Sequence, residues 1–139
     1  MAAIINLEII KPDKKLFKGM IDSITIPGTK GSFQVLKNHA PLLSTFEVGE
    51  IKVQIGDNYT FYATSGGTVE VLDNNILILA DSIEQVENID IERAKSALDR
   101  AKERIEKKDP LVDLERAKKA LTRSLNRLKL AEKHAIADF

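Results

Sequence analysis

Six arginines stand in this sequence, and all of them fall in its last third: Arg93, Arg100, Arg104, Arg116, Arg123 and Arg127. Arginine is the donor of choice for planar, bidentate contact with carboxylate or phosphate. Arg93 and Arg100 are seven residues apart, about two helical turns, which puts them on one helix face. Arg123 and Arg127 sit at i, i+4 and share a face, where like charges repel by a few tenths of a kcal/mol. A bound polyanion would reverse that repulsion. Two solvated helix faces would give the same composition.

Other chemistry is thinly represented. The chain of 139 residues has no cysteine, so disulfides and thiolate metal sites are excluded. His39 and His134 lie far apart, neither has a second histidine at ligand spacing, and the carboxylates do not cluster, so no metal centre is expected. There is no phosphate-binding loop ending in Gly-Lys-Ser or Gly-Lys-Thr, no Gly-x-Ser-x-Gly and no His-Glu-x-x-His. The sequence therefore predicts no active site of its own. His39 reads as a loop histidine satisfied by backbone carbonyls, with a proton switch as the sharper alternative.

The net charge of zero hides a division. Residues 1–88 carry seven lysines and eleven carboxylates, 7 − 11 = −4; residues 89–139 carry fourteen cations and ten anions, 14 − 10 = +4. The apolar pattern divides at the same place. Up to about residue 85 it has period two: Ile5, Leu7 and Ile9; Ile51, Val53 and Ile55; Tyr59, Phe61 and Ala63; Val69 and Val71. Pro27-Gly28, Gly56-Asp57-Asn58, Gly66-Gly67 and Asp73-Asn74-Asn75 read as the turns between strands. Ile76 to Ala80 is unbroken, as in a strand covered on both faces. The stretch from Asn38 to Leu43, interrupted by Pro41, reads as a loop or single turn.

From about residue 88 the period is helical. Asp90 is the expected N-cap, with Glu92 in the first turn. Ile91, Ala94, Leu98, Ala101 and Ile105 form one stripe, and Lys107-Lys108 lie near the helix end. Asp109-Pro110 is read as the stop of this helix and the cap of the next. Leu114, Ala117, Leu121, Leu125, Leu128 and Ala131 form the second stripe. The expected fold is α+β: an N-terminal antiparallel β-sandwich over 1–86, then a two-helix antiparallel hairpin over 89–139. A seam rich in alanine buries little apolar area, so the hairpin is expected to be a marginal, movable element.

Three segments carry a resemblance. Ile26 to Ser44 runs Ile-Pro-Gly-Thr-Lys-Gly-Ser-Phe-Gln-Val-Leu-Lys-Asn-His-Ala-Pro-Leu-Leu-Ser; Ser65-Gly66-Gly67 is followed by Val69-Glu70-Val71 and Leu77 to Asp81; Ile89 to Lys95 runs Ile-Asp-Ile-Glu-Arg-Ala-Lys. In that order they closely resemble the epsilon subunits of bacterial F-type ATP synthases. Gln34 and Lys37 stand where that family commonly has Gly and Pro, and Thr68 where it often has a larger apolar residue.

The resemblance implies a non-catalytic rotor subunit of a proton-transporting synthase, peripheral on the cytoplasmic face of the inner membrane. It implies contact with the gamma subunit and the c-ring, through a surface that includes the loop Asn38, His39, Pro41 and Leu42. It implies that the hairpin inhibits ATP hydrolysis when extended towards the alpha/beta subunits. It implies ATP as a regulatory ligand, at Glu84, Ile89, Asp90, Arg93, Ala94, Arg100, Arg123 and Arg127, with no cofactor required. A nucleic-acid module is the rival reading of the basic half. It would need aromatic platforms beside the charge, and only Phe139 follows Ile89. The absence of any long apolar run argues against a membrane-inserted segment or signal peptide.

Overall fold

The computed structural model describes residues 4–107 and 113–137. The chain divides into two compact units, residues 1–85 and 86–139. Alternating β-branched residues make the first an all-β unit: β1 (Ile5–Lys11), β2 (Lys14–Ile21), β3 (Ser23–Gly28), β4 (Gly31–Val35), β5 (Leu42–Ile55), β6 (Asn58–Leu72) and β7 (Asn75–Gln85). They form one sheet in the order β2-β1-β7-β6-β5-β3-β4. Every neighbouring pair is antiparallel except β1 and β7, which run parallel, Leu7 opposite Ile76 and Ile9 opposite Ile78.

The inward faces supply one core. Ile5, Leu7, Ile9, Ile21, Ile24, Ile26, Ile51, Val53, Val69, Val71, Ile76 and Ile78 are all buried in it. β5 and β6 are long enough to serve both layers, and β6 bends where its ladder to β7 slips between Thr64 and Gly67. Gly66 and Gly67 are therefore a bulge inside a strand, not the turn that their pairing in the sequence suggests. A Cβ on Gly67 would stand 2.1 Å from the Leu79 carbonyl oxygen. The bulge's polar groups are satisfied: the Thr64 hydroxyl donates to Ser82 O at 2.9 Å and accepts from Gly66 N–H at 3.2 Å.

Other expectations shift by a residue or a face. Pro27-Gly28 ends β3, and the turn lies beyond it. Leu42 and Leu43 already belong to β5. Tyr62, opposite Ile51, faces the core, whereas Tyr59 is half exposed under the ammonium of Lys52 at 4.5 Å. Ile55, beside the Gly56 turn, is exposed too. Only one face of β7 is covered: Ile76, Ile78 and Ala80 are buried but Leu79 is 46% exposed. A continuous apolar run here marks a one-sided strand.

The second unit opens with a single 3-10 turn (Val86–Asn88) and holds α1 (Ile91–Lys107) and α2 (Leu114–Ala137). Asp90 caps α1 as expected, its Oδ1 accepting Arg93 N–H at 3.1 Å. α2 is capped by Asp113, whose Oδ1 accepts Arg116 N–H at 3.2 Å. The predicted Asp109-Pro110 break lies outside the described residues. Ala94, Leu98 and Ala101 are the buried stripe of α1, with Ile91 and Ile105 half-buried. On α2 the buried positions are Ala117, Ser124, Leu130 and Ala131, and Leu125 is 48% exposed. The stripe thus passes one residue before Leu125, because spacing of seven from Ala117 reaches Ser124 and then Ala131.

Two measurements test this unit-one core. Gly67→Ala drives a methyl into backbone, so it should cost about 1–3 kcal/mol or more in urea unfolding. Burial pushes the Tyr62 phenol above its usual range, against a smaller opposing effect of its hydrogen bond with Gln85. A raised folded pKa means that stability is intact below the unfolded value of about 10 and is lost as pH rises through the folded one. Tyr62→Phe should flatten that alkaline loss in denaturant titrations run across the range.

Candidate functional site

Packing of α1 against α2 leaves a cleft of about 830 Å³ in the second unit. Its lining comes from the later half of α1 and the earlier half of α2, the juxtaposition that an antiparallel hairpin produces. Ala97, Ala101, Ala117 and Ala120 form the floor, because short side chains at these positions let the helices close without filling the space between them. The walls are cationic: Arg100, Arg104, Arg116, Lys119, Arg123 and Arg127. Asp113 is the one carboxylate among the lining residues, and it is engaged in capping α2.

The electrostatics of these walls are one-sided. Arg100 and Arg104, Lys119 and Arg123, and Arg123 and Arg127 are like pairs at i, i+4, and Arg116 and Lys119 are at i, i+3. Each such pair costs a few tenths of a kcal/mol on a solvated helix. Arg100, Arg104, Arg116 and Arg123 make no ion pair among the described residues. By contrast, Glu103 and Lys107, elsewhere on α1, form an i, i+4 salt bridge at 2.8 Å. Lys107 accordingly holds the Glu103 carboxyl below its ordinary pKa, first by hydrogen bond and then by charge.

The residues implicated from the sequence are only partly gathered here. Arg100, Arg123 and Arg127 line the cleft together. Asp90 and Arg93 sit at the N-terminus of α1, joined through the cap, with both side chains exposed. Ile89 and Ala94 are buried, and Ala94 belongs to the seam of α1. Glu84 is on β7, in the other unit. Sequence reasoning passed over Arg104, Arg116 and Lys119. Their signal was present as the i, i+3 and i, i+4 spacing that ties them to Arg100 and Arg123.

In the first unit the Asn38–Leu42 segment is held by an asparagine clasp. Asn38 N–H donates to Asn74 Oδ1 at 2.7 Å, and Asn74 Nδ2 donates back to Asn38 Oδ1 at 3.2 Å. Both residues, like Asp73, have the positive φ that asparagine and aspartate tolerate best. The His39 ring is bonded through Nδ1 to its neighbour's carbonyl, Ala40 O, at 2.7 Å. Pro41 is exposed and Leu42 packs on the core. Leu43, 79% exposed, projects beside them. Among the described residues no group of three or more side chains is arranged to hold a metal ion. Among the described residues no helix is long and apolar enough to cross a membrane.

Comparison with known proteins matches both units. Residues 4–86 match the ATP synthase Delta/Epsilon chain beta-sandwich domain, and residues 87–132 match the ATP synthase Delta/Epsilon chain long alpha-helix domain. The chain belongs to the ATP synthase delta/epsilon family. Within it, curated ATP synthase epsilon chains are similar over nearly their whole length. That of Desulforamulus reducens is 41% identical, covering 95% of this chain and 100% of its own. That of Salinibacter ruber is 44% identical, covering 94% of each. Solved structures share the fold: a chain of the Euglena gracilis mitochondrial ATP synthase, OSCP/F1/c-ring, is 24% identical with a TM-score of 0.75, covering 98% of this chain and 82% of its own. A chain of the Tetrahymena thermophila central stalk/c-ring structure is 18% identical, with a TM-score of 0.55, covering 94% and 96%. The epsilon-family sandwich and long-helix arrangement read from the sequence is thus the fold observed, with the β1–β7 parallel pair as its one exception to antiparallel order.

Removing the α1 cap should expose how lightly this unit is held. Asp90→Ala is expected to cost about 1 kcal/mol of helix stability. Amide exchange should report it as faster opening in the first turn of α1, with the β-unit amides unchanged.

Proposed function

We propose that this chain is a non-catalytic central-stalk subunit of a proton-transporting F-type ATP synthase, whose helical unit binds ATP and regulates hydrolysis. The β-unit docks on the gamma subunit and the c-ring, with Asn38, His39, Pro41 and Leu42 in the contact surface. The helical unit inhibits hydrolysis when it extends towards the alpha/beta subunits, and permits turnover when it is folded. The complex sits peripherally on the cytoplasmic face of the inner membrane, and this subunit contributes no active site.

Similarity to epsilon chains along nearly the whole sequence supports the stalk assignment. The observation that carries the regulatory part is the convergence of Arg100, Arg123 and Arg127 on one cleft. Charge-assisted bonds from guanidinium to phosphate are the strong kind, and a bound polyanion would reverse the like-charge repulsion at i, i+4 spacing between Arg123 and Arg127. Ile89, Asp90, Arg93 and Ala94 of the same unit complete the proposed nucleotide site. A ligand shifts a two-state arm only by its differential affinity for the two states. ATP held by the packed hairpin would therefore favour the folded arm.

A calorimetric titration of ATP into the full chain tests the ligand. Saturable binding is expected, weakened roughly tenfold or more by Arg123→Ala, which removes a charged hydrogen bond. No heat of binding would remove ATP from the proposal. The stalk assignment is tested separately by copurification with the cognate gamma subunit, and failure to copurify would overturn it.

A further inference from the structure

The cationic cleft is longer than the site that ATP would use. Arg123 and Arg127 lie towards one end of its α2 wall, and Arg100 lines it from α1. Beyond them the wall continues through Lys119 to Arg116, and Arg104 continues it on α1, one turn past Arg100. From Arg116 to Arg127 is eleven residues, about 16 Å along the axis at 1.5 Å per residue. The three phosphorus centres of a triphosphate cover only part of that length.

Arg104, Arg116 and Lys119 are exposed, and Arg104 and Arg116 have no ion pair among the described residues. Six cations face one carboxylate across the cleft, and that carboxylate is the α2 cap. Between the cations the lining is alanine and Ser124, with no aromatic ring for a second base to stack on. What the extra length recognises is therefore charge repeated at short intervals on a narrow chain.

We propose that Arg104, Arg116 and Lys119 form a second phosphate-binding segment, continuous with the first, so that the helical unit takes linear phosphoanhydride chains longer than a triphosphate. This rests on the reading of Arg100, Arg123 and Arg127 as a phosphate site. Two sources share the chemistry: inorganic polyphosphate, and a nucleotide with an extended phosphate tail.

The test is calorimetry on the full chain with ATP, adenosine tetraphosphate, inorganic tripolyphosphate and size-fractionated linear polyphosphate, with polyglutamate as the carboxylate control. Polyphosphate should bind roughly tenfold or more tighter than tripolyphosphate, the effect of added charged hydrogen bonds. The double variant Arg104→Ala/Arg116→Ala should abolish that gain and leave ATP affinity unchanged. Arg104→Lys/Arg116→Lys should keep part of the gain, and circular dichroism should show both variants as helical as the parent. Tighter binding of adenosine tetraphosphate than of ATP identifies the extended nucleotide as a ligand; a gain confined to polyphosphate identifies the inorganic chain. ATP binding with no gain from chain length, or with a gain that survives the double alanine variant, overturns the second segment and leaves the ATP reading standing. Polyphosphate binding lost in the double alanine variant, with no binding of ATP, removes the nucleotide and keeps the segment. Equal affinity for polyglutamate overturns phosphate recognition altogether.

Discussion

The close approach of β6 to β7 at Gly67 is the constraint on which the β-unit depends. Seven strands in one sheet acquire a common interior only if the long strands bend, and β6 bends where its register slips. The bend brings backbone to within a distance that no side chain tolerates, so glycine is required there. It also frees polar groups from the ladder. Thr64, Ser65 and Ser82 satisfy one another and the backbone at that point, the Ser82 hydroxyl donating to Ser65 at 2.7 Å. With the bend in place, isoleucine and valine from both layers share one core, and the rigid frame so formed positions the Asn38–Leu42 segment through the Asn38–Asn74 clasp.

The helical unit follows a different rule. Its seam is largely alanine and serine, which allows close approach but supplies little burial per residue. Its cleft concentrates cations that repel along both helices. Packing therefore leaves this unit with little apolar burial per residue, whereas the β-unit is held by a continuous apolar core.

Much of this was legible from periodicity. The period-two runs located the strands, the shift near residue 88 located the helices, and Asp90 was recognisable as a cap. The errors share a cause. Gly66-Gly67 reads as a turn because sequence cannot distinguish a bulge from a reversal when both need glycine. Tyr59 and Tyr62 exchange faces because the phase of alternation is set by the partner strand, here Ile51 opposite Tyr62. Leu125 lies outside the seam because spacing from Ala117 favours Ser124, and hydrophobicity alone points to the leucine. Arg104, Arg116 and Lys119 were visible as residues but not as a wall, since a cleft exists only once two helices are packed.

The parallel pairing of β1 with β7 carries a consequence for how the chain acquires its shape. Asn6 bonds to Asn75 across a separation of 69 residues, and no local hairpin brings them together. Loop closure of that length precedes any reward from the contact, so topology of this kind slows folding. During synthesis β1 can pair at once with β2, which follows it directly, but its other neighbour, β7, emerges only at the end of the unit. One edge of β1 is closed by the nearest strand in sequence and the other by the farthest in its unit.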